Sequence, residues 1–238
     1  MKILKSFWLP GCLLLLAALL IPSGCSGNRE AVLQEEITSL QEQLNRQQES
    51  LAALEEEKTV LEDRLLETIE QDSRDLLFSA LRAVHHIKNE DYGALGEMAH
   101  PEEDVRFSPY GYVNQDQDLK FSGRQFPLLA SGNQDYLWGA YDGSGEPIEL
   151  GFQEYFRTFV FPVDFTAPHM IGVNRVIGTG NSLINLEEVY PGASFVEFHF
   201  TGFNPEYDGM DWRSLRLVFQ PLEGNWKLVG IVSDQWTI

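Results

Sequence analysis

Between Asn28 and Gln71 the chain has no glycine, no proline and no aromatic residue. Glu, Gln, Leu and Ala dominate the stretch, and all are strong helix formers. Leu33, Leu40, Leu54 and Leu61 recur at one core position of a heptad, and Ile37, Leu44, Leu51 and Leu65 at the other. Steps alternating between three and four residues lay a narrow apolar seam along a helix, of the kind two helices share. Gln47 and Lys58 interrupt the seam; polar residues there lower stability but favour a defined register, often dimeric. At about 1.5 Å per residue the helix reaches roughly 60–65 Å. The pattern predicts a coiled-coil stalk within 25–71 that acts as a spacer for the C-terminal body, with a homodimer as its partner. A single exposed helix or a partly disordered acidic spacer is the alternative.

The residues before the stalk suggest where it is fixed. Lys2 and Lys5 open the chain, Phe7 to Ile21 is an apolar run, and Pro22-Ser23-Gly24-Cys25 ends it. A positive start, an apolar middle and small residues before the cut are the parts of an export signal, and the run is short for a spanning helix. A cysteine at the cut predicts a lipoprotein signal peptide over 1–24 and a lipid on the Cys25 thiol, although Pro22 stands where leucine is usual. An uncleaved anchor is the alternative. The expected location is the extracytoplasmic side of a cell membrane, held by the Cys25 lipid. Cys12 leaves with the signal, so no disulfide and no CxxC metal or redox site is expected. The formal charge of −19 argues against nucleic acid and anionic headgroups as partners.

From Asp72 the pattern changes, and 72–238 has the length of one domain. Leu76, Leu77, Ala80, Leu81, Val84 and Ile87 form a broader helical stripe that should pack on a core. Asn89 to Gly93 reads as a turn, Tyr92 to Met98 as a short helix, and Val105 to Val113 as extended chain bent at Pro109 and Gly111. Phe121 to Gln134 and Asn181 to Val189 are ambiguous. Tyr136 to Tyr141 and Pro147 to Leu150 read as strands around the turn Asp142-Gly143-Ser144-Gly145. Gly151 to Phe161 has helical spacing, and Arg175 to Ile177 a short strand or turn. Ser194 to Thr201, Ser214 to Pro221 and Asn225 to Ser233 are three strands, the last two joined through Glu223-Gly224. Leu228, Val229, Ile231 and Val232 alternate too little for a strand with one wet face, so both of its sides should be covered. Helices first and an antiparallel meander last predict an α+β body, with helices on one face of a curved antiparallel sheet.

Four segments carry a resemblance: HPEEDVRFSPYGYV (100–113), YLWGAYDGSGEPIEL (136–150), GMDWRSLRLVF (209–219) and NWKLVGIVSDQWTI (225–238). They are similar to a family of bacterial lipoproteins that share a tail ending in QWTI. The resemblance covers most of the body and not the stalk, and it brings no assigned activity or catalytic residues. The order of helices and strands also resembles the NTF2-like, cystatin-like cone. Such folds host enzymes, ligand binders and dimerisation modules alike, so the resemblance leaves function open.

Candidate sites are few. Asn114, Asp116 and Asp118 have the alternate spacing of a calcium loop, as do Asp142, Ser144 and Glu146. Neither has the glycine at the sixth place or the glutamate at the twelfth, so polar turns are expected. No histidine lies in a metal-ligand spacing, and no cofactor or metal is expected. Glu197, His199 and Arg216 could meet on one face of paired strands, where a carboxylate beside His would raise its pKa for acid–base work. The plainer expectation is a charge pair on the outer face of the sheet. Trp138, Tyr141, Tyr155, Phe156, Trp212 and Trp236 could line a largely apolar ligand pocket or, more plainly, build the core. The leading reading is a membrane-anchored lipoprotein whose body binds a ligand or envelope partner. The others are an enzyme working in a pocket of the body and a structural envelope protein assembled through the stalk.

Overall fold

The computed structural model describes residues 26–181 and 183–237. The export signal and Cys25 lie outside them. By its internal contacts the chain divides after Asp63. Over its described residues the first unit belongs wholly to one helix, α1 (Ser26–Lys88), which also opens the second unit. Nothing in α1 interrupts it, and its threonines remain compatible with it by bonding backward: Thr38, Thr59 and Thr68 each donate Oγ1 to the carbonyl four residues earlier. The eight seam residues Leu33 to Leu65 are 47–60% exposed in the single chain.

The second unit, Arg64–Ile238, is α+β. Leu76, Ala80, Ala83, Val84 and Ile87 are its buried stripe on α1. Leu81 is exposed, contrary to expectation, because at 100° per residue it lies well round from the Ala80–Ile87 row, where Ala83 sits instead. The helix ends in a left-handed residue, Glu90 (φ 53°). Asp91 N–H donates to the His86 carbonyl and Glu90 N–H to that of Ile87, a Schellman closure. Asp91 then caps α2 (Tyr92–Met98) by accepting from Ala94 N–H at 3.0 Å.

Eight strands follow: β1 (Val105–Ser108), β2 (Leu119–Phe121), β3 (Asp135–Ala140), β4 (Pro147–Gly151), β5 (Met170–Val173), β6 (Ser194–Phe200), β7 (Arg213–Leu222) and β8 (Asn225–Gln235). β3 and β4 form a separate hairpin, and the other six make one sheet in the order β2-β1-β8-β7-β6-β5. The sheet is mixed and not wholly antiparallel as expected, because β1 runs parallel to β8, with Phe107 opposite Ile231. The expected terminal meander is β6-β7-β8. Glu223 and Gly224 close its last hairpin with φ of 50° and 76°, as a two-residue type I′ connection requires. The ambiguous Phe121–Gln134 holds a 3₁₀ turn and α3 (Phe126–Ser131). Gly151–Phe161 is helical, as α4 (Phe152–Tyr155) and a π turn over Phe156–Val160. Arg175–Ile177, read as a short strand or turn, is irregular chain, and the strand of this region lies earlier, at β5, a short edge strand whose Met170 and Ile171 are both exposed and so show no alternation.

Alternate residues of the sheet, among them Phe107, Phe198, Leu217, Phe219 and Ile231, face the helices in the main core. A second, smaller core lies on the opposite face, where Val218, Val229 and Val232 pack with Val113, Leu186 and Tyr190. Leu186 begins α5 (Leu186–Val189), the resolution of the ambiguous 181–189 stretch. Both sides of β8 are therefore covered, as its sequence requires, and Leu228, Val229, Ile231 and Val232 are all buried.

Candidate functional site

The second face of the sheet carries a buried polar layer. Period-two alternation sends Glu197 and His199 of β6, Ser214 and Arg216 of β7, and Asp234 of β8 to the same side. Glu197 stands opposite Arg216 and His199 opposite Ser214 in the strand register. The expected outer-face position is therefore wrong: Glu197 and Arg216 are fully buried, and His199, Ser214 and Asp234 nearly so. The cover is irregular chain, which hydrophobic periodicity cannot reveal. Ile177 and Gly178 donate their backbone N–H groups to Glu197 at 2.9 and 2.8 Å. A Cβ on Gly178 would stand 2.5 Å from Ser214 Oγ and 2.8 Å from the Trp212 ring, so only glycine lets this backbone approach. A Cβ on Gly111 would likewise stand 2.5 Å from the Asp234 carboxylate.

Arg216 holds the layer together. Its Nε donates to Glu197 Oε2 at 3.0 Å, its Nη1 to Asp234 Oδ2 at 2.7 Å and its Nη2 to the Gly178 carbonyl at 2.7 Å. Burial raises the Asp234 carboxyl pKa, and Arg216 opposes the rise without cancelling it. Ser214 Oγ donates to Glu197 Oε1 at 2.6 Å. That hydroxyl has one proton, so in its 2.8 Å bond with His199 Nδ1 the ring is the donor. Serine thus sits between histidine and carboxylate. In a nucleophilic triad the histidine must occupy the middle, so this order gives a structural chain of hydrogen bonds. Burial lowers the His199 pKa, more than nearby Glu197 raises it; the expected upward shift is reversed.

The aromatic residues part company. Trp138 and Tyr155 are fully buried and stack at 3.7 Å, and Trp138 Nε1 donates to the Leu150 carbonyl. Phe156 belongs to the same core. Trp212 is buried beside His199, with ring centres 5.8 Å apart, while Trp236 is partly exposed on the C-terminal stretch. These residues do not converge on one pocket. Trp138 and Tyr141 do line a cleft of about 520 Å³, together with Tyr110 and Tyr112, which the sequence did not single out, and with Asp118 and Asp142 of the two calcium-like stretches.

Local structure builds this cleft. After β1 the chain bends at Pro109, and Tyr110 and Tyr112 come next. The calcium-like stretch is a polar turn, as expected. Asn114 Oδ1 accepts from the N–H groups of Asp116 and Gln117, and Asp118 N–H donates to the Asn114 carbonyl. On the other side, β3 bulges between Leu137 and Ala140 at Gly139, whose φ of 126° is closed to other residues. The Asp142–Gly145 turn follows, and Asp142 N–H donates to the Tyr110 hydroxyl at 3.1 Å. Asp118 Oδ2 accepts from Ser108 Oγ at 2.5 Å and from Asn114 N–H at 2.9 Å. Its Oδ1 accepts no hydrogen bond among the described residues and keeps access to solvent. Burial pushes the Asp118 carboxyl up to about 6, against those two hydrogen bonds and the Arg106 charge.

Among the described residues no group of three or more His, Cys, Asp or Glu side chains is placed to hold a metal, and no helix is long and apolar enough to cross a membrane. No family model matches the chain, and no curated protein matches it. Among solved structures it is similar to Aln2 from a Streptomyces species, at 9% identity and a TM-score of 0.30, over 68% of this chain and 88% of that one. A likeness at that score carries no argument.

Proposed function

We propose that the chain is a lipid-anchored lipoprotein on the extracytoplasmic side of a cell membrane, whose body binds a ligand or envelope partner. The cleft between the chain leaving β1 and the β3–β4 turn carries the binding reading. It offers partly exposed tyrosines around a carboxylate with one free oxygen, the mixture of apolar wall and few polar groups that small-molecule sites use. The anchor rests on the Lys2-to-Cys25 signal pattern. The stalk is proposed to pair with a second copy, a reading supported by the exposed leucine seam of α1. An NTF2-like assignment for the body is supported by its element order, helices first and the β6-β7-β8 meander last.

The enzyme reading centred on Glu197, His199 and Arg216 finds less support, because each charged group there is engaged by a neighbour. Two measurements test the proposal. Metabolic labelling with a fatty acid should mark the full chain and not Cys25→Ser; equal labelling refutes the anchor. Nuclear magnetic resonance titration of the full chain with small probes of ammonium, saccharide and carboxylate type should shift signals around Tyr112, Tyr141 and Gly143. Shifts scattered over the body, or none, refute the binding cleft.

A further inference from the structure

The cleft residues also restrict what can occupy it. Asp118 and Asp142 bring carboxylates, and among the described residues no lysine, arginine or histidine contributes to the lining. An anionic ligand would meet repulsion with nothing to offset it. The chain as a whole gives the same bias, since it carries a formal charge of −19 and gathers cations at long range. Aromatic rings attract cations through their electron-rich faces, and a carboxylate beside them adds a direct charge pair. Tyr112 and Tyr141 stand exposed at the rim, and Tyr110 lines the cleft with them.

Asp118 is built as a binding group more than as a structural one. Its Oδ2 is satisfied within the protein, while Oδ1 accepts no hydrogen bond among the described residues. The Arg106 charge favours ionised Asp118; its Nη1 donates to the carbonyls of Asn114, Gln115 and Asp118, and its Nε is buried with no hydrogen-bond partner among the described residues. Two further groups feel the Asp118 charge. They are the buried hydroxyls of Tyr155, which stacks under Trp138 and has no hydrogen-bond partner among the described residues, and of Tyr190, which lies by the Arg106 guanidinium. Burial outweighs the two hydrogen bonds and the Arg106 charge that favour ionised Asp118. A carboxyl group perturbed by burial beside an open cleft is a candidate functional group.

We propose that this cleft binds an organic ammonium group, held among the rings of Tyr110, Tyr112 and Tyr141 and paired with the free oxygen of Asp118. The inference rests on the cleft being the ligand site of the body, and it specifies the chemistry of that ligand. A cation pairs with ionised Asp118 alone. With the free carboxyl titrating at about 6, the apparent affinity should be nearly constant above pH 7 and about tenfold weaker at pH 5, by mass action on the ionised fraction.

The test is a titration of the full chain with tetramethylammonium and, in parallel, with N-acetylglucosamine as a neutral probe that also stacks on aromatic rings. The expected result is saturable tetramethylammonium binding with that pH profile. Asp118→Asn should abolish it, and Tyr112→Leu or Tyr141→Leu should each weaken it about 2–5-fold, the worth of one exposed cation–ring contact. A urea unfolding curve for each variant separates lost binding from lost folding. If the sugar binds and the ammonium does not, the cation inference is overturned and the cleft remains a ligand site. If neither probe binds, both readings fall. Ammonium binding that is indifferent to pH and to Asp118→Asn also overturns the proposal, since the site would lie elsewhere.

Discussion

Replacing Arg216 with methionine tests the buried polar layer at its centre. Methionine keeps much of the side-chain length and removes the charge. The structure gives the cost. Arg216 is fully buried and donates to Glu197, Asp234 and the Gly178 carbonyl, so its loss leaves two carboxylates and a carbonyl sealed in the protein. Breaking a buried ion pair on one side costs about 3–5 kcal/mol, and the usual total stability is about 5–15 kcal/mol. With a urea dependence of about 2 kcal/mol per molar, the midpoint should fall by roughly 1.5–2.5 M. Tryptophan fluorescence is the right probe, because Trp138, Trp212, Trp226 and Trp236 all lie in the body, while circular dichroism would be dominated by α1. The sign of the pH effect is also fixed. Asp234 already has a raised pKa in the folded state, and losing Arg216 raises it further. The folded state then binds more protons than the unfolded one, so stability falls as pH rises. The deficit of Arg216→Met against the parent should therefore be larger at pH 7 than at pH 5. Arg216→Lys, which keeps the charge and loses the fork, should sit between the two. A loss below about 1 kcal/mol, or an equal loss at both pH values, would refute the view that Arg216 neutralises this layer.

Asp118→Asn should stabilise the body by about 1–2 kcal/mol at pH 7.5, because it removes a carboxylate whose ionisation costs the fold. The gain should vanish near pH 4, where the parent is protonated, and an unchanged urea midpoint at pH 7.5 would count against the raised pKa. Leu44→Glu with Leu51→Glu should convert a self-associating full chain into a monomer in sedimentation equilibrium; a parent already monomeric at tens of micromolar would remove the paired stalk. Gly178→Ala should cost about 1–3 kcal/mol by overpacking against Ser214 and Trp212, and hydrogen exchange should then rise at Ile177 and Gly178.

Much of this architecture was legible because it arises from period and punctuation. The heptads of α1, the bounds of α2, the Asp142–Gly145 turn and the β7–β8 hairpin all announce themselves in short stretches of chain. The crowding of Leu228 to Val232 even foretold a strand covered on both sides. The parallel β1–β8 pairing did not show, since neither strand carries a mark of its distant neighbour. Glu197 and Arg216 could be placed together from alternation alone. Their burial could not, because it depends on backbone N–H groups of Ile177 and Gly178, and a backbone donor leaves no trace in side-chain chemistry. The same reasoning let Asp234 pass unnoticed, although it lies two residues beyond Val232 on the same face. At the cleft, Tyr110 and Tyr112 read as part of an extended segment, and Asp118 as a failed calcium ligand, because their meeting with Tyr141 depends on a bulge at Gly139.

The position of β8 bears on how the molecule is made. Of the six strands in the sheet it comes last in chain order, yet it is the one that joins β2-β1 to β7-β6-β5. Until it has left the ribosome, β1 has only the three-residue β2 for a neighbour, and the sheet exists as two fragments. Long-range pairings of this kind form late and slowly. A nascent chain therefore lacks its finished sheet until β8 has been made, and a product cut off before β8 is marked as defective by open sheet edges.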